Sequence, residues 1–138
     1  MKSIAKTISE YNKAQTSDVK KICSLLEVNI HKSLKNSESK IWHGTPVWFI
    51  QENPIVSYSA RKDGRVSLMF FSGQGFGEKD LKPEGTFKAA EILYTDAKEI
   101  RVSDLKKWLK KAKDIQWDYK NIVKRKGVLK KIPLQKKV

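Results

Sequence analysis

The stretch Val56 to Phe71, VSYSARKDGRVSLMFF, limits the fold more than any other part of the sequence. Val56, Tyr58 and Ala60 alternate with Ser57 and Ser59; beyond KDGR, Val66, Leu68 and Phe70 alternate with Ser67, Met69 and Phe71. Successive side chains of a strand point to opposite faces, so this period of two predicts two strands, each with one apolar face. Asp63-Gly64 between them is the pair favoured in a two-residue type I′ turn, whose central residues both need positive φ. A tight hairpin joins antiparallel neighbours. Two further strands are expected: Val47 to Ile50, turned by QENP, and about Lys88 to Thr95, with Ala90, Ile92 and Tyr94 on one side. The partly polar second face predicts that helices cover one side of the sheet.

Helical spacing frames this sheet. From Ser17 to Leu34, Val19, Ile22, Cys23, Leu26 and Ile30 share one face. Thr16 or Ser17 can cap that helix, and Asp18 suits its first turn. A shorter helix is read over Ile4 to Lys13, with Ile8 and Tyr11 inward. The last helix is expected to run from a Ser103 cap to Lys126, with Gly127 ending it. That is about 23 residues, or about 35 Å. Leu105, Trp108, Leu109, Ala112, Ile115, Tyr119, Ile122 and Val123 form its apolar stripe. The fold class is therefore α+β: an antiparallel sheet of four to five strands with N- and C-terminal helices packed on one face. One domain spans residues 1–138, ending in a basic tail, 128–138, anchored by Val128, Leu129, Ile132 and Leu134.

The net charge of +14 is unevenly spread: from Ser103 onward, 13 Lys and Arg face 3 Asp. Such a field attracts polyanions. On the wheel of the last helix Trp117 falls off the apolar stripe, beside Lys106, Lys110, Lys113, Lys120 and Lys124. These six are the candidate anion or nucleic-acid face: the indole would stack on a base while the lysines meet phosphates. The competing reading covers Trp117 with the C-terminal tail. Cys23 is the sole cysteine, which excludes an intramolecular disulfide and makes a reducing cytoplasm the expected location. The N-terminal residues lack the apolar stretch of a signal peptide, and no apolar run nears the ~18 residues of a membrane span, so no membrane insertion is expected.

ESKIWHGTPVWFI sets His43 between Trp42 and Trp48. Gly44 permits a tight turn and Pro46 extends the residue before it, so this is read as architecture leading into the sheet. Trp42, His43 and Trp48 are also the candidate walls of a small-ligand pocket. Cys23, His31 and His43 have no recognised zinc spacing, and the glycines of GQGFG do not match a phosphate loop. No catalytic residue, metal ligand or cofactor is identified.

With these residues in view, the chain resembles the YdhG-like family, domain of unknown function 1801. The resemblance rests on IWHGTPVWF, SLMFFSGQGF, LKPEGTFKAAEILYTDAKEI and LKKWLKKAKDIQWDYKNIVKRKG, within residues 17–127. It implies a compact α+β domain with terminal helices on an antiparallel sheet. One branch of that family is frataxin-like, linked to iron delivery, and the resemblance therefore implies iron as an alternative partner. Iron favours clustered carboxylates; Glu78, Asp80 and Glu84 are the best candidates here. The sequence thus reads as a small, basic, non-enzymatic binding domain for an anionic partner, nucleic acid or acidic protein; the alternative is a frataxin-like iron chaperone.

Overall fold

The computed structural model describes residues 6–85, 87–122, 124, 126–127 and 129–132. Ile4, Val123, Val128 and Leu134, assigned above to helices or tail anchors, lie outside the described residues. α1 spans Ile8–Lys13 and starts at Thr7, whose hydroxyl accepts from the Glu10 N–H at 3.1 Å. α2 spans Ser17–Ser33 and buries the expected stripe, Val19, Ile22, Cys23, Leu26 and Ile30.

The sheet consists of β1 (Glu38–Trp42), β2 (Thr45–Ile50), β3 (Asn53–Ala60), β4 (Val66–Phe70), β5 (Lys82–Pro83) and β6 (Ala90–Tyr94). Its spatial order is β1-β2-β3-β4-β6-β5, antiparallel throughout. This is six strands rather than four to five. The additional β1 is largely exposed and polar, so period-two burial leaves little trace in its sequence; β5 has only two residues. The three helices pack on one face, over Trp48, Val56, Tyr58, Leu68, Phe70 and Tyr94. Val47, Phe49, Ser57, Ser67 and Met69 alternate with these residues and point to the opposite face.

The turns differ from expectation. At Asp63-Gly64 only the glycine has positive φ, +88°. Gly64 N–H donates to the Arg61 carbonyl and Arg61 N–H to that of Arg65, a type I turn closed by a glycine bulge. Asp63 favours this form because its carboxylate accepts from both the backbone N–H and the guanidinium of Arg65. The paired positive φ values of a type I′ turn occur instead at His43-Gly44 (52° and 82°). Gln51 and Glu52, at 49° and 69°, adopt positive φ without a glycine.

α3 spans Val102–Asp114, 13 residues, about half the helix expected. It begins one residue before Ser103, and Arg101 rather than Ser103 is its N-cap. Beyond Asp114 the chain leaves the helix, and residues 120–122 lie in a turn. Gln116–Trp117 forms β7, which pairs antiparallel with β8, Lys131–Ile132. A 13-residue helix is about 20 Å long and matches strands of five to eight residues, whereas ~35 Å would overrun them. Asn53, 2% exposed, captures the chain just past the helix end. Its amide donates to Gln116 Oε1 and the Trp117 carbonyl at 3.1 and 3.0 Å. Its oxygen accepts from the N–H groups of Tyr119 and Lys120 at 2.9 and 3.1 Å. Ser72 Oγ accepts from the Trp117 N–H at 2.9 Å. These bonds supply outside the helix what helix continuation would have supplied within it.

Candidate functional site

α3 sorts its lysines into two sets. Glu78, just beyond the 3-10 turn Gly73–Phe76, holds Lys107 at 3.3 Å and also pairs with Lys111. Lys111 donates in addition to the Phe76 carbonyl at 2.9 Å. The Lys111 ammonium holds the Glu78 carboxyl below its ordinary range, against the opposing effect of burial. Lys106, Lys110 and Lys113 are exposed and have no acidic partner among the described residues. At spacings of four and three they follow one side of the helix over about 10 Å. Lys113 also borders a cleft of about 320 Å³ with Lys32 and Lys35, where α2 ends. The free row therefore runs into a second group of cations.

The other half of the expected face is displaced, because it was drawn on a helix that stops at Asp114. Trp117 is half-buried in β7. Its ring lies against Gly75 so closely that a Cβ there would meet Cζ3 and Cη2 at 2.5 and 2.6 Å. The Lys88 and Lys131 ammonium groups stand over the indole at 5.4 and 5.5 Å. β8 comes from the tail, so the tail's Lys131 pairs with Trp117 along the backbone and its ammonium stands over the indole. Lys120 bends back to donate to the Gln51 carbonyl at 3.2 Å, and Lys124 is exposed elsewhere on the C-terminal segment. Lys106, Lys110 and Lys113 thus share one side of the helix; Trp117, Lys120 and Lys124 lie beyond its end.

The structure does not assemble Trp42, His43 and Trp48 into one pocket. Trp48 is fully buried on the helix-covered face, where its Nε1 donates to His31 Nδ1 at 3.3 Å. Trp42 is on the opposite face, 37% exposed, with the His43 ring centred 4.3 Å from it. The register of β1 and β2 explains the separation: Trp42 pairs with Thr45, an odd number of residues from Trp48. Burial pushes the Cys23 thiol up to about 12, which leaves it protonated and non-nucleophilic at neutral pH.

The loop acids diverge as well. Glu78 is engaged by lysines; Asp80 borders a cleft with Arg101 and Asp104; Glu84 faces Glu91, whose proximity raises its carboxyl. Among the described residues no three His, Cys, Asp or Glu side chains gather closely enough to hold a metal ion.

One arrangement escaped sequence reasoning. On the face away from the helices Trp42, Phe71, Tyr119 and Phe87 touch in succession, with ring centroids 6.3, 5.5 and 6.3 Å apart. Phe71 was legible as an outward residue of its strand. Tyr119 was not, since its spacing also fits the stripe of a longer helix.

Compared with models of known protein families, with curated proteins and with solved structures, the chain matches none. No helix among the described residues is long and apolar enough to cross a membrane.

Proposed function

We propose that this protein is a small, non-enzymatic binding domain whose α3 lysine row engages an anionic partner, nucleic acid or acidic protein. The observation that carries the reading is the division of the α3 lysines. Glu78 engages both Lys107 and Lys111 and offsets one of their two charges, while Lys106, Lys110 and Lys113 stay unpaired along one side and lead to Lys32 and Lys35. Exposed ammonium groups in a row gain affinity for a polyanion by releasing its counterions. A fixed aligned row adds a preference for extended anionic chains over isolated charges. The alternative role, an intracellular iron chaperone as the YdhG-like resemblance implies, would need converging carboxylates; Glu78, Asp80 and Glu84 face different partners.

The test compares the wild type with Lys106→Gln/Lys110→Gln/Lys113→Gln for retention on a polyanionic matrix such as heparin. The variant should elute at clearly lower salt with an unchanged melting temperature. Identical elution would place the polyanion attraction elsewhere on the chain.

A further inference from the structure

The surface of the sheet opposite the helices has properties that core packing does not require. Trp42 and Phe87 are two of the four large hydrophobic side chains left exposed among the described residues, at 37% and 44%. They are also joined by a succession of ring contacts through Phe71 and Tyr119. Val28 and Val102, the other two, sit on helices.

The middle of the chain is fixed by hydrogen bonds. Tyr119 OH donates to the Phe71 carbonyl and accepts from the Lys88 N–H, which ties strand, loop and C-terminal segment together at the ring. Gln74 Nε2 donates to the Phe87 carbonyl at 2.9 Å, holding the terminal ring's backbone. Cations stand over two other rings, Phe49 and Trp117: Lys40 is 4.9 Å from the Phe49 centroid, and Lys88, whose N–H is bound by Tyr119, and Lys131 stand over Trp117. Phe49 in turn touches Trp42. Glu91, the partly buried carboxylate of this face, is occupied by Arg61 and Ser67. Glu38, opposite Phe49 in the register, is an exposed carboxylate on the same face.

Aromatic rings beside the sheet, tilted or edge-to-face to one another at 44°, 74° and 83° and so each able to offer a separate face, suit with the neighbouring lysines a flexible ligand that is aromatic and anionic in alternation. Unpaired bases offer their π-faces to such rings, and the intervening phosphates meet the cations. A duplex cannot do so, because its bases already stack on one another. An acidic polypeptide matches the charge but has no use for the rings.

We infer that this face stacks the bases of a single-stranded nucleic acid across Trp42, Phe71, Tyr119 and Phe87, with Lys40, Lys88 and Lys131 at its phosphates. The inference goes beyond the reading of α3, since none of these residues lies on that helix. Rigid placement of the rings by Tyr119 keeps the ordering cost of binding low.

The experiment uses the full chain and fluorescence anisotropy at low salt. Its three probes are a labelled oligothymidylate of about 12 nucleotides, within the usual site size, a duplex of equal length and a labelled polyglutamate. Trp42→Leu and Phe87→Leu keep apolar bulk but remove the π-face; Trp42→Phe keeps an aromatic ring. Each leucine variant should weaken single-strand binding by about five- to a hundredfold. Trp42→Phe should stay within about threefold of wild type, and duplex affinity should change less than about twofold. Melting temperatures are measured alongside, and the Trp42→Phe protein controls for folding. Unchanged single-strand affinity in the Trp42→Leu/Phe87→Leu double variant would overturn the inference. So would an equal loss for duplex, no binding of the single strand, or polyglutamate binding as tightly as the oligonucleotide. The α3 triple variant is run in parallel: loss there with the leucine variants intact overturns the stacking face alone, and the reverse result overturns the lysine row alone.

Discussion

Asn53→Ala should release the C-terminal segment from the sheet. Asn53 is almost fully buried and makes four hydrogen bonds to residues 116 to 120, all spanning more than 60 positions in sequence. Each bond contributes about 0.5–1.5 kcal/mol net, and an acceptor or donor left dry costs about 1–3 kcal/mol. Tyr119 and Lys120 are close enough to solvent for water to replace part of the loss, so the expected destabilisation is about 2–4 kcal/mol. An unfolding entropy of about 2.1 cal/mol/K per residue makes 1 kcal/mol worth about 3–4 °C in a chain of this length, so the melting temperature should fall by about 7–14 °C. Asn53→Asp should fare little better. It keeps the acceptor for Tyr119 and Lys120 but turns a second oxygen toward the Trp117 carbonyl and Gln116 Oε1. Differential scanning calorimetry gives the stability, and limited trypsin digestion reports on the segment itself, since Lys120 and Lys124 should be cut faster in the variant. A melting temperature within about 2 °C of wild type, with unchanged digestion, would refute the view that this side chain ends α3 and anchors the segment beyond it.

Gly75→Ala would drive a methyl into the Trp117 ring, a rigid indole, and towards the Ile115 side chain; a loss of about 1–3 kcal/mol and a shift in tryptophan fluorescence are expected, and a neutral result would mean that β7 can slide. Glu78 is held ionised in the fold, so its contribution is present above the ordinary carboxyl value of 4.5 and is lost as pH falls through the lower folded value. The wild type should therefore lose melting temperature on acidification below about pH 4.5 more steeply than Glu78→Gln; parallel curves would contradict this. At neutral pH the same substitution frees Lys107 and Lys111, so it should raise affinity for a polyanion at low salt, as measured by anisotropy.

The sheet was legible where one face is dry. In β3 and β4 apolar residues alternate with serines, and Val56, Tyr58, Val66, Leu68 and Phe70 are buried, so alternation, strand pairing and the helix-covered side could all be read from Val56 to Phe70. β1 was not, because an exposed edge strand needs no alternation. The longest error came from Ile115, Tyr119 and Ile122, whose spacing satisfies a helix as well as a covered loop. The competing instruction is a single asparagine more than 60 residues upstream, and local periodicity cannot weigh it. The site obeyed the same rule. Lys106, Lys110 and Lys113 were placed together correctly because they lie within the true helix. Trp117, Lys120 and Lys124 lie beyond its end, so positions on a helical wheel do not apply to them, and Trp42 was grouped with Trp48 because the register that parts them is set by the His43-Gly44 turn.

The proposed role of α3 rests on Lys106, Lys110 and Lys113 meeting a polyanion while Lys107 and Lys111, held by Glu78, contribute less. It is tested most directly by the slope of log affinity against log salt, measured for wild type, Lys106→Gln/Lys110→Gln/Lys113→Gln and Lys107→Gln/Lys111→Gln. At about 0.7–0.9 counterions per phosphate contact, the triple variant should lower the slope by roughly 2–3. The Lys107/Lys111 variant should change it less, by about 1, because the single Glu78 charge already offsets one of the two lysines. Equal slopes for wild type and the triple variant, or a larger change in the Lys107/Lys111 protein, would contradict the account.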